Sequence, residues 1–256
     1  MNTKGVVKVI EYAAITDKGM IRQTNQDYYY ASCEAYPVFI VCDGMGGHAA
    51  GDVASRSAVE SMAKYIEINR RFDIDEKEAE SLIGGACRYA NSIVYSRSKS
   101  SSDYIGMGTT TDICLFDFDR VHICHVGDSR VYLYRDNKIE QITTDHTLIE
   151  ELIKNGTITE EEAKNHPNRH MITRAVGTEE TVKYDFYSFD LSDGDEILMC
   201  TDGLSNMLTD DGIKRVLLST DDLNDAVKLL RDKANENGGG DNITAILIKY
   251  SEEETR

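Results

Sequence analysis

Apolar and polar positions alternate in several short stretches of the chain, and a period of two is typical of β-strands. Residues 6–15 alternate in this way, whereas residues 38–42 form a continuous apolar run that ends at Asp43, as in a strand buried on both faces. Further strands are predicted at 109–118, 121–126, 131–134, 182–189, 196–200 and 243–250. Short polar separators between the first three of these predict a meander of hairpins.

Apolar residues recur at helical spacing in the segments between these strands. The pattern predicts helices over 51–69, 76–99, 209–218 and 222–235. Residues 148–163 are weakly helical, highly charged and interrupted at Asn155-Gly156, so the region 147–171 is predicted to be a surface flap. The tail 251–256 is expected to fray.

The order of these elements predicts the fold class. Strands interrupted by paired helices favour an α+β fold, in which two mainly antiparallel sheets pack face to face with helices outside. A chain of 256 residues without repeats or linkers is expected to form one domain, 1–256.

Composition narrows the class of protein. No window reaches the roughly eighteen apolar residues of a membrane span, and no apolar leader precedes a cleavage site, so a cytoplasmic location is expected. Four of the six cysteines lie in apolar strand-like runs and none has zinc-site spacing, so disulfides and a structural zinc site are not expected. Any metal must be held by oxygen.

The charge balance limits the partners. Forty-five acidic and 28 basic residues give a net charge of −17, which repels nucleic acid and anionic lipid, and neither is expected as a partner. A phosphate substrate would be repelled as well, unless bound divalent cations inverted the local field. For a site that handles phosphate, the carboxylates that could hold such cations therefore matter more than the basic residues.

Four aspartates stand where an apolar run ends or begins. They lie in VFIVCDGMGG (Asp43), CHVGDSRVY (Asp128), ILMCTDGLS (Asp202) and GGGDNITAILI (Asp241). If such acids converge they repel one another unless a cation neutralises them, and an all-oxygen site suits Mg2+ or Mn2+. Turn chemistry alone explains any one of these Asp-Gly, Gly-Asp and Asp-Asn pairs. It does not require an apolar run beside each acid.

The motifs ITDKGMIRQTNQD, VCDGMGGHAAGDVAS, MGTT, HVGDSR, TDH, ITRAVG, CTDGL and GGGDNIT occur in the order and at the spacing of a known family. The chain resembles the metal-dependent protein phosphatases, the type 2C serine/threonine class, in their compact bacterial form, over about residues 10–250. The resemblance implies a four-layer αββα fold, a central antiparallel β-sandwich flanked by helices. It also implies hydrolysis of phosphoserine and phosphothreonine in proteins.

The resemblance assigns the metal ligands of a centre that holds two Mn2+ or Mg2+ ions per chain. Asp43 would bridge both ions, the carbonyl of Gly44 would bind one, and Asp202 and Asp241 would bind the other. Asp128 resembles the acid that holds a third, weaker ion. In the family, hydroxide bridging the two metals attacks phosphorus in line, and no phosphoenzyme forms.

Other matching positions surround this centre. Arg22 matches the residue that grips the phosphate, a use suited to a planar bidentate donor. Asp27 matches an acid that reaches the metal through water, and Ser129, Thr110 and Asn242 are predicted to orient the ligands.

The chain departs from the family pattern at two positions. Gln26 stands where many relatives have glutamate, so we expect a lower affinity for the second metal. Met45 stands where eukaryotic relatives carry the histidine taken as general acid. His48 lies near it in the sequence, either as an acid or as a histidine satisfied at a helix start.

Two other motif matches are disfavoured by their context. Gly44-x-Gly46-x-x-Ala49 has the outline of a dinucleotide fingerprint, but a second long helix follows where a strand is required. Cys124 to Arg130 fits Cys-x5-Arg, as does 114–120, but a predicted strand follows where the cysteine phosphatases need a helix N-terminus.

The resemblance predicts an enzyme that acts on phosphoproteins made by a serine/threonine kinase, with its selectivity in the flap. Two alternatives stay open: a phosphoprotein-binding signalling module without turnover, and a metal-dependent nucleotidase. A monomer is expected.

Overall fold

Two antiparallel β-sheets form the centre of the computed structural model, which describes residues 6–33, 36–47, 50–71, 73–163, 166–168 and 170–254. The first sheet has the strand order β1 (Val6–Asp17), β11 (Ile243–Glu254), β10 (Glu196–Cys200), β7 (Arg130–Arg135) and β8 (Lys138–Gln141). The second has the order β2 (Asp27–Ser32), β3 (Val38–Met45), β5 (Thr111–Asp117), β6 (Arg120–Val126) and β9 (Asp185–Asp190), with β4 (Gly108–Thr109) paired to the end of β3.

Helices cover the outer face of each sheet. The second sheet carries α1 (Ala50–Asn69) and α2 (Glu76–Ser98), and the first carries α5 (Asp202–Ser205), α6 (Asp210–Leu217) and α7 (Leu223–Glu236). The flap contributes two short helices, α3 (Leu148–Lys154) and α4 (Glu160–Ala163), and a 3-10 turn lies at Ser102–Tyr104. The start of α2 is fixed by a capping box, in which Asp75 and Glu78 each accept a backbone N–H of the other.

Strand β3 shows why its sequence is apolar throughout. Phe39 and Val41 point into the core between the two sheets, whereas Val38, Ile40 and Cys42 point into the core beneath α1 and α2. Both faces of the strand are thus buried, and the alternation seen in half-exposed strands is lost. A third core lies between the first sheet and its helices. The predicted αββα layering, a β-sandwich flanked by helices, is therefore confirmed.

Several predicted boundaries were wrong. Strand β9 begins at Asp185 rather than at 182, and β2 and β8 were not predicted. The tail was predicted to fray from residue 251. Up to residue 254 it instead belongs to β11, which pairs with the start of β1. This extension is polar, yet the backbone ladder with β1 holds it, and Glu252 N–H donates to Asp193 Oδ1 at 2.9 Å.

No helix in the described part of the chain combines the length and the apolar character needed to cross a bilayer.

Candidate active site

A cleft of about 620 Å3 opens at one edge of the sandwich. Most of the residues singled out in the sequence line it: Arg22, Gln26, Asp43, Gly44, Thr110, Asp128, Asp202, Asp241 and Asn242. Asp27 and Ser129 lie behind this lining. The four aspartates, which are far apart in the sequence, therefore converge on one space.

Asp43 is held by the end of β3. Its N–H donates to Thr110 Oγ1 at 2.9 Å, and its carbonyl accepts from Thr110 N–H at 2.9 Å and from Thr109 Oγ1 at 2.8 Å. Thr110 Oγ1 in turn lies 2.8 Å from Ser129 Oγ. Backbone and hydroxyl groups thus fix the backbone of Asp43.

Gly44 is required by close packing against the first turn of α1. A Cβ on Gly44 would lie 2.0 Å from the carbonyl oxygen of Gly51, and a Cβ on Gly51 would lie 2.6 Å from the carbonyl oxygen of Gly44. Gly44 N–H also donates to the Gln26 carbonyl at 3.1 Å. Only two glycines allow strand and helix to approach this closely.

Asp202 begins α5 directly after β10, with Thr201 as the N-cap residue. Its Oδ2 accepts from Asn206 Nδ2 at 3.0 Å, while its Oδ1 is buried without a hydrogen-bond partner. An orphaned carboxylate oxygen beside a cleft is a position at which a cation would be favoured.

Asp241 stands just before β11. Its Oδ1 accepts the N–H of Asn242 at 2.8 Å, and its Oδ2 accepts from Arg22 Nη2 at 2.7 Å. Asn242 ties down the loop that carries Arg22, because its side chain donates to the carbonyls of Lys18 and Thr24 and accepts the N–H of Gln26. The structure thus gives Asn242 a positioning role for the phosphate-binding candidate.

The acids raise one another's proton affinity. Desolvation, together with Asp27, Asp202, Asp128 and Asp241, raises the pKa of Asp43 well above its usual range. Desolvation and Asp241 raise the pKa of Asp202. Desolvation, Asp202 and Asp145 raise the pKa of Asp128 to about 7. Cations in the cleft would relieve this repulsion.

Asp27 lies behind Asp43 and links the two sheets. It stands opposite Asp43 in the register of β2 and β3, and its Oδ2 accepts from Thr201 Oγ1 at 2.9 Å and Thr244 Oγ1 at 2.7 Å in the first sheet. Its Oδ1 is buried without a partner. Desolvation is the main cause that raises the pKa of Asp27 to about 7.

The donor set fits hard divalent cations. Within the described ranges, no three His, Cys, Asp or Glu side chains are grouped tightly enough to enclose one ion by themselves. Mg2+ does not need such a cage, because it usually keeps several waters and takes one or two carboxylates. Oxygen donors spread around a wide cleft, with the orphaned Oδ1 of Asp202 among them and that of Asp27 behind it, match this preference better than that of zinc.

Some cleft residues were not found from the sequence. They are His170, Ile172, Asn206 and Met207. His170 comes from the end of the flap, and Ile172 follows the flap directly. The sequence around His170 predicts only a polar surface flap, and its significance comes from the position of His170 in the lining of the cleft. His48 lies outside the described residues.

The competing motifs fail in the structure. Cys124 is fully buried inside β6, burial raises the pKa of its thiol, and the Arg130 guanidinium pairs with Asp145. Helix α1 leads into α2 and an antiparallel sheet, whereas a dinucleotide fold needs a parallel strand there.

Comparison with known proteins identifies the family to which this chain is similar. A profile of the Protein phosphatase 2C family matches residues 21–235. The serine/threonine phosphatase stp of Listeria monocytogenes is 36% identical over 236 residues, which cover 91% of this chain and 93% of that protein.

Solved structures resemble the whole fold. The serine/threonine phosphatase of S. agalactiae superposes with a TM-score of 0.87 at 35% identity, covering 94% of this chain and 99% of that one. The catalytic domain of the serine/threonine phosphatase PstP, solved with two manganese ions, has a TM-score of 0.82 at 33% identity, covering 96% of this chain and 100% of that one. This chain belongs to the protein phosphatase 2C family.

Proposed function

We propose that this chain is a metal-dependent serine/threonine protein phosphatase, formed by a single catalytic domain, whose chemistry takes place in the cleft at the edge of the sandwich. The observation that carries the proposal is the convergence of Asp43, Asp128, Asp202 and Asp241 on one space beside Arg22. In a chain of net charge −17, a phosphorylated substrate needs such a centre to reach the protein at all.

The carboxylates would hold two divalent ions, Mn2+ or Mg2+. Asp43 lies among the other acids and would be a ligand of both ions. The Gly44 carbonyl would be a ligand of one ion, and Asp202 and Asp241 would be ligands of the other. Asp128, at the side of the cleft, would hold a third ion. When bound, such ions neutralise the acids, acidify water and stabilise charge on the phosphoryl oxygens.

Arg22 would orient the phosphoryl group. Its side chain is half exposed at the mouth of the cleft, and the loop that carries it is fixed by Asn242. A guanidinium can hold two phosphoryl oxygens in one plane, which fixes both the distance and the angle of the group. Gln26 lines the same cleft and carries no formal charge. Because one anionic contact to the second ion is then missing, this supports a moderate affinity for that ion.

The substrate is a phosphoprotein, and we place its selection at the flap. His170 and Ile172 bring the end of the flap to the cleft, where a polypeptide around the phosphorylated residue would pass. The enzyme would act in the cytoplasm as a monomer and reverse a serine/threonine kinase.

One assay separates this function from its alternatives. Phosphate release from a phosphothreonine peptide is measured with Mn2+, with Mn2+ plus excess chelator, and with nucleoside monophosphates in place of the peptide. The phosphatase reading predicts peptide hydrolysis that the chelator abolishes, with little release from nucleotides. The Cys124→Ser variant should keep its activity, because this thiol lies in the core.

Each alternative has a distinct outcome in this assay. Faster release from nucleotides than from the peptide would indicate a nucleotidase. No phosphate release in Mn2+, together with peptide binding measured by calorimetry on the same samples, would indicate a signalling module without turnover. Either result would overturn the proposal.

A further inference from the structure

Behind the cleft, the tripeptide Thr144-Asp145-His146 makes contacts that the metal chemistry does not use. It precedes the flap directly, and Asp145 and His146 contact the two ends of the loop 127–130, which carries Asp128. We propose that Asp145 and His146 are positioning residues that clamp this loop and tie it to the base of the flap.

His146 holds the first end of the loop through two hydrogen bonds. Gly127 N–H donates to His146 Nδ1 at 3.1 Å, and His146 N–H donates to the Gly127 carbonyl at 2.7 Å. Gly127 has a φ of +114°, and a Cβ there would lie 2.5 Å from Thr110 Cγ2. The loop therefore turns sharply at the point where His146 grips it.

Asp145 holds the other end. Its carboxylate accepts from Arg130 Nε at 2.9 Å and from Arg130 Nη2 at 2.7 Å, a bidentate pair that is largely buried. Gln141 Nε2 adds a hydrogen bond to Asp145 Oδ1 at 2.9 Å. Asp128 and Ser129 lie between the two grips, so neither end of the loop can shift without breaking a buried contact.

The geometry of His146 defines its tautomer. Because a backbone N–H donates to Nδ1, the neutral ring must carry its proton on Nε2. Burial and the neighbouring His125 lower the pKa of His146 to about 4, consistent with a neutral ring. Nε2 lies 3.2 Å from Asp185 Oδ2 and 3.0 Å from Arg174 Nη1, and Arg174 Nη1 donates to Asp185 Oδ1 at 2.7 Å.

The same histidine fixes both ends of the flap. Thr173 N–H donates to the His146 carbonyl at 2.7 Å, and just beyond it Thr147 and Ile172 form a β-bridge. His125 packs against the same tripeptide. Its Nε2 lies 3.0 Å from the Thr144 carbonyl oxygen, and its ring centroid is 4.5 Å from that of His146. A movement at the base of the flap is thus transmitted to the loop that carries Asp128.

Two near-isosteric variants separate the two sides of the imidazole. His146→Asn places an acceptor near Nδ1 and should keep the Gly127 bond, whereas His146→Gln extends towards Nε2 and should lose it. The readout is hydrogen exchange of the Gly127 amide, followed by NMR in the full chain. We expect His146→Gln to speed this exchange by about tenfold or more and His146→Asn to stay within about threefold of wild type.

Kinetics test the consequence for the reaction and rest on the proposed function. His146→Gln should lower kcat about tenfold with both p-nitrophenyl phosphate and a phosphothreonine peptide. His146→Asn should keep kcat with both substrates, since it keeps the Gly127 bond and loses only the contacts of Nε2 with Asp185 and Arg174. Asp145→Asn should lower kcat with both substrates and leave Gly127 exchange unchanged.

His122→Gln is the matched control. His122 lies in β6 and is buried, as His146 is, but among the described residues its side chain has a hydrogen bond only with Ser188. It should change neither Gly127 exchange nor KM. Equal Gly127 exchange in wild type and both His146 variants would overturn the proposal, as would equal effects of the Asn and Gln variants. If wild type shows no phosphatase activity, the proposed function fails, and the exchange measurement still decides the clamp.

Discussion

Arg22 and Asp241 are joined by a hydrogen bond of 2.7 Å between Nη2 and Oδ2, although 219 residues separate them in the sequence. The pair lies at the mouth of the cleft, with side chains 50% and 32% exposed. Exposed pairs add little to stability. Under the proposed function this contact is a resting position, from which the guanidinium would turn to a phosphoryl group when a cation engages Asp241.

Arg22→Ala should raise KM for a phosphothreonine peptide by about tenfold or more, with kcat changed much less, because it removes binding to the phosphoryl group. Arg22→Lys keeps the charge but loses the two-pronged donor, and should recover only part of the affinity. Steady-state kinetics in saturating Mn2+ measure both. A fall in kcat at unchanged KM would contradict the assignment.

Asp43→Asn and Asp241→Asn should each lower kcat for the peptide by more than about 100-fold, since replacing even a supporting group of a metal site costs about 10- to 100-fold. The free energy of unfolding in chelator should not fall in Asp43→Asn, because the amide removes repulsion among the acids. Asp221→Asn, at an exposed position away from the cleft, serves as the control and should stay active. An active Asp43→Asn enzyme would exclude Asp43 as a ligand.

The metal-free protein should become less stable as the pH rises from about 4 to about 7. Desolvation, with the charges of Asp202 and Asp241, raises the pKa of Asp27 to about 7 in the folded state, whereas an unfolded aspartate titrates near ~4. Between these values the folded state binds more protons, so the free energy of unfolding falls with rising pH and stays low above the folded pKa.

Asp27→Asn keeps acceptors for Thr201 and Thr244 but removes the charge. Urea unfolding in chelator between pH 5 and 8 should therefore show a smaller pH dependence in this variant and a higher stability at neutral pH. Parallel curves for the two proteins would show that Asp27 does not titrate in this window.

Gly44→Ala should cost about 1–3 kcal/mol or more of stability, because its Cβ would meet the backbone of Gly51 at 2.0 Å. Gly47→Ala is a control in the same glycine-rich turn, since a Cβ there meets nothing within 4 Å. Its cost should stay below about 1 kcal/mol. Thermal unfolding compares the two. Equal losses would mean that the glycines serve backbone flexibility rather than close packing.

Much of the active site could be predicted because its acids stand at the ends of strands. Burial on both faces gives β3 a continuous apolar run, so the position where the run ends, Asp43, is visible in the sequence. The same holds for Asp202 after β10 and Asp241 before β11. Antiparallel pairing brings the end of β10 beside the start of β11, and the packing of the two sheets brings the end of β3 to the same edge.

Features that depend on long-range contacts could not be predicted. Strand β2 reads DYYYAS, a run in which partly buried tyrosines on both faces hide the alternation. The bonds by which Asn242 holds the loop of Arg22 and His146 holds Gly127 join groups brought close only by the fold, for which no local pattern exists. His170 reaches the cleft through the path of the flap, which its polar sequence does not determine.

The central claim is that the clustered carboxylates hold a pair of divalent ions in an otherwise repulsive molecule. Mn2+ titration by calorimetry, with electron paramagnetic resonance on the same samples, tests it most directly. We predict at least two Mn2+ per chain with a spin-coupled spectrum, and loss of the coupled pair in Asp43→Asn. Isolated, uncoupled Mn2+ that binds equally well to wild type and Asp43→Asn would contradict the account.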